Sequence, residues 1–475
     1  MAGAAKNTLY FTLGKIAISL ISIIVVSFLT NNLGAVKYGS ISIANSIFTI
    51  LLMIVMLGFH APAVFLIPKY KKEQNGIIYY LIENRILIAL TFGLIFFLSS
   101  GLISNYYSRD EYLGLILPLF SIILFFSAVS NIFQEIFVGL KDMKNYFAVD
   151  LVFSISKFAV VVLIIMGLDI IGAVLGYVFS YGLMFISGII LFLGYRIKKE
   201  KIENKFKSMV WKLSIPMTLL SVFEMLNVHI QNLFLGKISG LQVSYYSISM
   251  VIAGLFLTLG QGVESALAPE ISEGLIKKER IIKKLEKAVK YLVIYSFFAG
   301  TILVMLGERI ILTIFGKDFS GSGIVLSLII LGQIFFIISH VYRSILFGHG
   351  KPEIILKGTL IQFALTFLLC FLLSSKFAAL GTAFASFIGV SSSSLYFFIM
   401  ARRKISFKFP KRDLAKAIVC SIVMLFVINS LNYLNEDILG LLVILSASSI
   451  TFLISAVFMK LIWREDFEII RNLIR

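Results

Sequence analysis

Four basic side chains fall within stretches of the chain that otherwise consist of apolar residues. They are Lys15, Arg85, Lys157 and Arg343. An ionised side chain inside hydrocarbon is costly, so such residues usually face a protein interior or a wet path and mark a functional site. The chemistry they offer is the binding of an anion, since ammonium and guanidinium groups pair well with phosphate oxygens.

These four residues differ in how deep they lie within their apolar stretches. Lys15, Arg85 and Arg343 lie in the half of their stretch nearer to a basic connection, where a long side chain can also extend to the lipid headgroups. Lys157 lies near the middle of its stretch, beyond easy reach of the headgroups. Its alternative is a partner within the protein, for which the nearby acids are Asp150 and Glu135.

Acidic and neutral polar residues also interrupt the apolar stretches. Glu224 and Glu264 are candidates to carry a proton or a sodium ion, because buried carboxyl groups are poised for that exchange. For Glu224 the alternative is a hydrogen-bonded acid that joins two parts of the protein. The neutral candidates for lining a polar cavity are Thr12, Ser19, Asn227, Gln231 and His60.

Metal binding and enzyme chemistry receive no support from the motifs. Cys370 and Cys420 lie in separate apolar stretches and are interpreted as packing residues, and the four histidines form no HExxH or HxxxH pattern. There is neither a GxSxG element nor a phosphate-binding glycine loop. The sequence therefore predicts no resident cofactor and no enzyme activity, with sodium or proton coupling left open.

The elements that carry these residues are predicted to be membrane-spanning helices. Of the 475 residues, 59% are hydrophobic, against about 45–50% in soluble domains. A helix of about 20 apolar residues crosses the bilayer core and satisfies its own backbone hydrogen bonds. We predict an all-α integral membrane protein of about fourteen helices, near residues 9–30, 40–67, 77–101, 112–138, 146–167, 170–195, 209–236, 242–268, 288–306, 322–347, 354–374, 378–400, 414–433 and 438–463.

The net charge of +18 is distributed unevenly over the connections between these helices. Even-numbered connections hold the basic runs, above all within residues 196–212, 277–290 and 402–416, whereas odd-numbered connections hold few basic residues. Because basic connections stay on the cytoplasmic side, both termini are predicted to be cytoplasmic. The charge is thus a signal of membrane topology and of attraction to anionic lipid, and does not indicate nucleic acid.

The chain contains an internal repeat. Val138-Gly139-Leu140-Lys141 aligns with Phe347-Gly348-His349-Gly350 at an offset of about 209 residues, and helix one aligns with helix seven. Because each copy has an even number of spans, the copies are related by an axis along the membrane normal, as in parallel-repeat transporters. We predict two six-helix lobes, residues 1–207 and 208–410, and a C-terminal helix pair, residues 411–475.

Several short motifs lie within the predicted helices or just after them. They are Leu33-Gly34-Ala35-Val36-Lys37-Tyr38-Gly39, Leu57-Gly58-Phe59, Pro68-Lys69-Tyr70, Ile215-Pro216 and Leu235-Gly236-Lys237. In their order and spacing they resemble motifs of the polysaccharide flippase family (Wzx-like), in the multidrug/oligosaccharidyl-lipid/polysaccharide (MOP) exporter superfamily. Where many relatives have Asp before the last of these, this chain has Gln231, which weakens the case for ion coupling at that position. The resemblance implies two lobes around a cavity that opens alternately to either side.

The resemblance and the basic span residues together predict a function. The chain is expected to move a polyprenyl-(pyro)phosphate-linked oligosaccharide from the cytoplasmic to the outer leaflet by alternating access, for cell-surface polysaccharide or glycan synthesis. The alternative is a MATE-like multidrug exporter coupled to a cation. Expected partners are the lipid-linked sugar, membrane lipids, and a glycosyltransferase or polymerase of the same pathway, in the plasma or inner membrane.

Overall fold

A computed structural model describes residues 2–107, 110–272, 278–405, 407–431 and 438–461. Side chains of residues 2–20, 269 and 278–280 lie outside that description. Within it the regular secondary structure is all helical, and no strand is found. The helices are α1 Ala2–Met56, α2 His60–Lys69, α3 Gln74–Tyr106, α4 Leu113–Gly139, α5 Met143–Ser156, α6 Phe158–Ile165, α7 Asp169–Leu193, α8 Asn204–Gly236, α9 Gly240–Ser272, α10 Lys278–Phe315, α11 Ser322–Gly348, α12 Pro352–Arg402, α13 Lys411–Leu431 and α14 Ile438–Phe458.

Among the described residues, twelve helical stretches are long and apolar enough to cross a membrane. Two of them, Ile21–Lys69 and Pro352–Arg402, contain 49 and 51 residues, more than twice the roughly 20 residues of one span. Both are interrupted by non-helical backbone, at Gly34 with φ 76° and at Ala378 with φ 47°. The predicted all-helical membrane fold is confirmed, and the count of fourteen spans stays a prediction.

Two predicted helices are broken in the structure. The helix expected over residues 40–67 is interrupted at Leu57 and Gly58, where φ is 48° and 56°, so α1 ends at Met56 and α2 is short. The helix expected over residues 146–167 is divided into α5 and α6 at Lys157. Both breaks lie next to candidate functional residues.

The chain folds into two compact units, Met1–Ser247 and Ile248–Arg475. In the first unit α4 is central and packs against α1, α2, α3 and α7, and α8 packs against α1. In the second unit α11 packs between α10 and α12, and the α13–α14 pair packs against α10. The predicted lobe boundary near residue 207 stays a prediction.

Small residues allow close contact between neighbouring helices at matching positions of the repeat. A Cβ atom added at Gly172 would lie 2.6 Å from the Cβ of Leu168 and 3.0 Å from the Leu163 carbonyl oxygen, and one added at Gly381 would lie 2.5 Å from the carbonyl oxygen of Leu373. Backbones this close leave no room for a side chain, so both glycines serve helix packing. Cys370 and Cys420 are also buried, which confirms their interpretation as packing residues.

Candidate functional site

Arg85 of α3 is enclosed by protein groups. Its side chain is fully buried, and its Nη2 atom donates to a carboxylate oxygen of Glu135 on α4 at 3.0 Å. The same Nη2 atom donates to the carbonyl oxygen of Met56 at 2.7 Å, and Nη1 donates to that of Ala128 at 3.3 Å. Because a buried charge requires a partner and hydrogen bonds, this arrangement neutralises Arg85 inside the first unit.

The contact between Arg85 and Met56 lies at the break that ends α1. The Met56 carbonyl oxygen, at the end of α1, accepts a hydrogen bond from the Phe59 N–H at 3.1 Å as well as the one from the guanidinium group. The Phe59 ring lies 5.3 Å from the guanidinium carbon and covers it. In this conformation Arg85 therefore holds the α1–α2 break against α3 and α4, and its predicted contact with substrate stays a prediction.

Lys157 lies between α5 and α6 and is half-buried. Its Nζ atom donates to the Ser22 hydroxyl of α1 at 3.1 Å and lies 4.4 Å from the centre of the Phe153 ring. A hydroxyl and an aromatic face support an ammonium group without neutralising it. The amine is thus held by a neutral hydroxyl and an aromatic face within an otherwise apolar segment.

The acids expected near Lys157 have other contacts as well. Asp150 accepts a hydrogen bond from the Gln134 side chain at 2.7 Å and also acts electrostatically on Lys157. Glu135 pairs with Arg85. No ion pair within 4.0 Å joins Lys157 to an acid among the described residues, and its hydrogen bond goes to Ser22.

Polar residues of α8 form a buried cluster with α1. The Ser46 hydroxyl lies 3.1 Å from Nδ1 of His229 and accepts a hydrogen bond from Asn232 at 2.9 Å. Gln231 is fully buried, its amide donates to the Asn227 carbonyl oxygen at 3.0 Å, and its Oε1 atom has no hydrogen-bond partner in the described part of the chain. Asn227 and Gln231 are among the residues predicted from the sequence, whereas Ser46, His229 and Asn232 are not.

The second unit contains a cluster of three ionisable side chains. Glu264 of α9 accepts a hydrogen bond from Nε of Arg343 at 3.1 Å and contacts Nδ1 of His340 through its other oxygen. Both partners are on α11, three residues apart, so they lie on one face of that helix. The rings of Phe347 and Phe397 flank the guanidinium group at 5.9 and 5.8 Å.

The three members of this cluster differ in how completely they are satisfied. Glu264 interacts with two basic groups, while Nε2 of His340 is buried and without a hydrogen-bond partner within the described ranges. Arg343 was predicted to hold substrate and Glu264 to couple ions; their mutual contact was not predicted. Residues 79 positions apart give no sequence signal of pairing unless the packing of α9 on α11 is known.

Of the remaining candidates, the structure describes Glu224 and His60. Glu224 is half-buried on α8, and His60 is exposed at the start of α2. Thr12, Lys15 and Ser19 lie outside the residues whose side chains are described. No group of three His, Cys, Asp or Glu residues able to hold a metal ion is found among the described residues.

Two family profiles match the chain, each over more than half of its length. The profile of the polysaccharide biosynthesis protein family matches residues 4–263, and that of the lipid II flippase MurJ family matches residues 171–448. The capsular polysaccharide biosynthesis protein CapF of Staphylococcus aureus is 28% identical over 216 residues, which make up 43% of this chain and 53% of CapF. The aligned part thus spans about half the length of that relative.

Solved structures share the fold at low sequence identity. A lipid II flippase MurJ in an inward closed conformation has a TM-score of 0.81 and 19% identity, over 98% of this chain and 100% of the other. An inward-facing multidrug resistance MATE family transporter of the MOP superfamily has a TM-score of 0.68 and 12% identity, over 83% and 98%. These likenesses establish the fold.

Fold and family together define a class: a multi-pass membrane transporter, and not an enzyme. The chain belongs to the polysaccharide biosynthesis protein family, and its fold is similar to that of a transporter of the MOP superfamily.

Proposed function

We propose that this chain moves a polyprenyl-(pyro)phosphate-linked oligosaccharide from the cytoplasmic to the outer leaflet by alternating access. Such a substrate can leave its tail in lipid, but its phosphate and sugars cannot enter hydrocarbon unaided. An isolated charge there costs on the order of tens of kcal/mol. The protein must therefore supply a polar, cationic path, and membership in the polysaccharide biosynthesis family supports this substrate class.

The observation that carries the proposal is the setting of Lys157. Its amine contacts a neutral hydroxyl, Ser22, and an aromatic ring, Phe153. When a phosphate binds, the ammonium group exchanges its hydrogen bond to the Ser22 hydroxyl for a stronger one to a phosphate oxygen, because ionised donors bind anionic oxygens more strongly than neutral acceptors. Arg85 gains less from a phosphate, since Glu135 already accepts from it.

The other candidates have secondary roles in this proposal. Lys15 is a further binding residue for the phosphate. Arg343 and Arg85 join it only in a conformation that opens their pairs with Glu264 and Glu135. Thr12, Ser19, Asn227, Gln231 and His60 line the polar path for the sugars. Glu264 is the first candidate for ion coupling and Glu224 the second. The pathway partners and the cytoplasmic position of both termini remain part of the proposal.

The decisive test is transport in proteoliposomes with a fluorescent polyprenyl-pyrophosphate sugar. Lys157→Met should lower the flipping rate at least about tenfold, equivalent to about 1.4 kcal/mol of barrier, while Lys157→Arg should keep part of the rate. The matched control is Lys376→Met, which removes an exposed lysine of α12 and should flip at the normal rate. A folded Lys157→Met protein with the normal rate would overturn this mechanism.

The alternative function is export of cationic drugs, which the similarity in fold to a MATE transporter supports. The same proteoliposomes should then accumulate a cationic dye, and Lys157→Met should leave that accumulation unchanged or increase it. An efflux-deficient host expressing the chain should gain drug resistance. Dye transport without movement of the lipid-linked sugar would favour the exporter.

Ion coupling is tested at the Glu264 cluster. The flipping rate should rise under an imposed proton or sodium gradient, and Glu264→Gln should remove that rise while some gradient-independent flipping remains. Glu270→Gln is the control, because Glu270 lies on the same helix but forms a half-exposed pair with Lys284 at 2.7 Å. A rise that survives in Glu264→Gln, or a wild-type rate insensitive to both gradients, would contradict coupling at Glu264.

A further inference from the structure

A pocket of about 650 Å³ lies in the first unit where α3 begins. Its walls are the first turns of α3, the irregular connector of residues 196–203, and the first turn of α8. This connector joins the two copies of the sequence repeat. The lining residues used below are Tyr80, Glu83, Leu87, Lys199, Lys201 and Lys207.

The connector is held against α3 by specific contacts. The Asn75 amide donates to a Glu200 carboxylate oxygen at 2.8 Å, and the Tyr79 hydroxyl donates to the Ile197 carbonyl oxygen at 3.1 Å. A Cβ atom added at Gly76 would lie 3.3 Å from the Lys201 carbonyl oxygen, so the absence of a side chain permits this close approach. The pocket wall is therefore an ordered part of the fold.

The pocket lining carries three lysines, Lys199, Lys201 and Lys207, and two acids, Glu83 and Glu200, so its net formal charge is +1. Lys199 pairs with Glu83, which raises the pKa of Lys199 by a hydrogen bond and by charge. Neither Lys201 nor Lys207 has an acidic partner within 4.0 Å in the described part of the chain. Lys207 lies 5.9 Å from the centre of the Tyr80 ring.

Tyr80 adds a hydrogen-bond donor to these cations. Its hydroxyl oxygen accepts a hydrogen bond from Nε1 of Trp211 at 3.0 Å. A phenol can accept and donate at once, so the hydroxyl proton remains available for a ligand. Two ammonium groups and one hydroxyl donor are suited to the oxygens of a phosphate group.

An exposed apolar stripe on α3 continues from the edge of the pocket. Its members are Leu87, Leu90, Leu94, Leu98 and Leu102, each 53–74% exposed. Their spacing of three and four residues places them on one face of the helix. From the first to the last the stripe extends about 22 Å at 1.5 Å per residue, longer than one leaflet of a bilayer core about 30 Å thick.

We propose that this pocket binds the anionic headgroup of a phospholipid. Lys201, Lys207 and Tyr80 bind the phosphodiester, and the acyl chains lie along the leucine stripe of α3. A soluble phosphate would contact only the pocket, whereas a phospholipid would contact the pocket with its headgroup and the leucine stripe with its acyl chains. The connector belongs to the predicted cytoplasmic side, where anionic lipids attract basic residues, so the bound lipid ties the link between the repeats to α3.

The test is lipid binding to the full chain in neutral detergent, followed by native mass spectrometry. The probes are dioctanoyl phosphatidylglycerol, dioctanoyl phosphatidylcholine and inorganic phosphate. Phosphatidylglycerol should bind at least about tenfold more tightly than phosphatidylcholine, and Lys201→Gln/Lys207→Gln should remove that preference. The control with equal charge loss is Lys198→Gln/Lys205→Gln, which changes exposed lysines outside the pocket lining and should keep the preference.

A second variant separates the lipid from a soluble anion. Leu94→Ser/Leu98→Ser should weaken phosphatidylglycerol binding and leave any binding of inorganic phosphate unchanged. Equal affinity for the two lipids, equal loss in both lysine variants, or displacement of phosphatidylglycerol by similar concentrations of inorganic phosphate would overturn the proposal. None of these measurements uses a lipid-linked sugar, so their failure would leave the proposed flipping function intact.

Discussion

Arg85 and Glu135 form an ion pair at 3.0 Å in which the two side chains are only 0% and 6% exposed. Removing one partner leaves the other charged and buried, which costs roughly 3–5 kcal/mol. We expect Arg85→Met and Glu135→Leu each to lower the unfolding free energy of the detergent-solubilised protein by that amount. The double variant should recover most of the loss, because it buries apolar groups instead of a lone charge.

The control for this prediction is the half-exposed pair of Lys284 and Glu270, with both side chains 42% exposed. Removing either of those partners should change the unfolding free energy by roughly 0–1 kcal/mol. If Arg85→Met were as stable as the wild type but slow in flipping, the pair with Glu135 would not be the main role of Arg85. Arg85 would then be assigned to substrate binding.

Gly58 is expected to tolerate no side chain. Its φ of +56° favours glycine, and an added Cβ atom would lie 2.6 Å from the Ser214 carbonyl oxygen and 2.8 Å from the Thr218 nitrogen, both on α8. Gly167 has a φ of +82° with nothing within 4 Å of its Cβ position. A substitution there therefore measures the cost of backbone strain alone, without a steric clash. Gly167→Ala should cost about 1–2 kcal/mol of unfolding free energy.

Gly58→Ala should cost a further 1–3 kcal/mol or so, because the α8 backbone must move. Unfolding of both variants by denaturant in the same detergent gives the comparison. Equal losses would mean that α8 shifts freely and that the α1–α2 break does not depend on close contact with it.

Asp142 links the connection after α4 to the end of α7. Hydrogen bonds from the Tyr195 hydroxyl, first, and from the Asn145 backbone lower the pKa of Asp142 below its usual 3.8. Burial and the bond to Asp142 raise the pKa of Tyr195 to about 12. A depressed carboxyl pKa stabilises the fold above the unfolded value and loses that contribution as the pH falls through the folded value.

Tyr195→Phe should therefore destabilise the protein at pH 7 by no more than about 1 kcal/mol, because this bond is only partly buried. The difference from the wild type should shrink as the pH falls below about 4. In an Asp142→Asn background the tyrosine change should have little effect. Unfolding curves from pH 7 to pH 3 measure this, and a difference independent of pH would show that the carboxylate is not the relevant partner.

The predicted topology can be tested with single cysteines. Cys370 and Cys420 are buried, so both can be changed to alanine to give a background without thiols. A membrane-impermeant maleimide applied to intact cells should label Lys376→Cys, in a predicted outer connection, and should not label Lys198→Cys. Both should react after permeabilisation. Labelling of Lys198→Cys in intact cells would reverse the predicted orientation.

The helix breaks and the pairing of side chains in this protein could not be predicted from its sequence. The residues after Asn145 predict one continuous helix because every side chain up to Gly167 is compatible with it. The structure divides that helix at Lys157, beside α1 and Ser22. No local signal distinguishes a continuous helix from a divided one when the cause is a neighbour 135 positions away.

The sequence by itself determined the membrane class, the helical fold, the family and the rarity of charges within the spans. These follow from local quantities: apolar length against bilayer thickness, and short motifs in order. Only the tertiary structure decided that Arg85 pairs with Glu135, that Arg343 and His340 share Glu264, and that Lys157 contacts Ser22. A buried charge interacts with whichever group packing brings within a few ångströms, and that choice depends on which helices become neighbours.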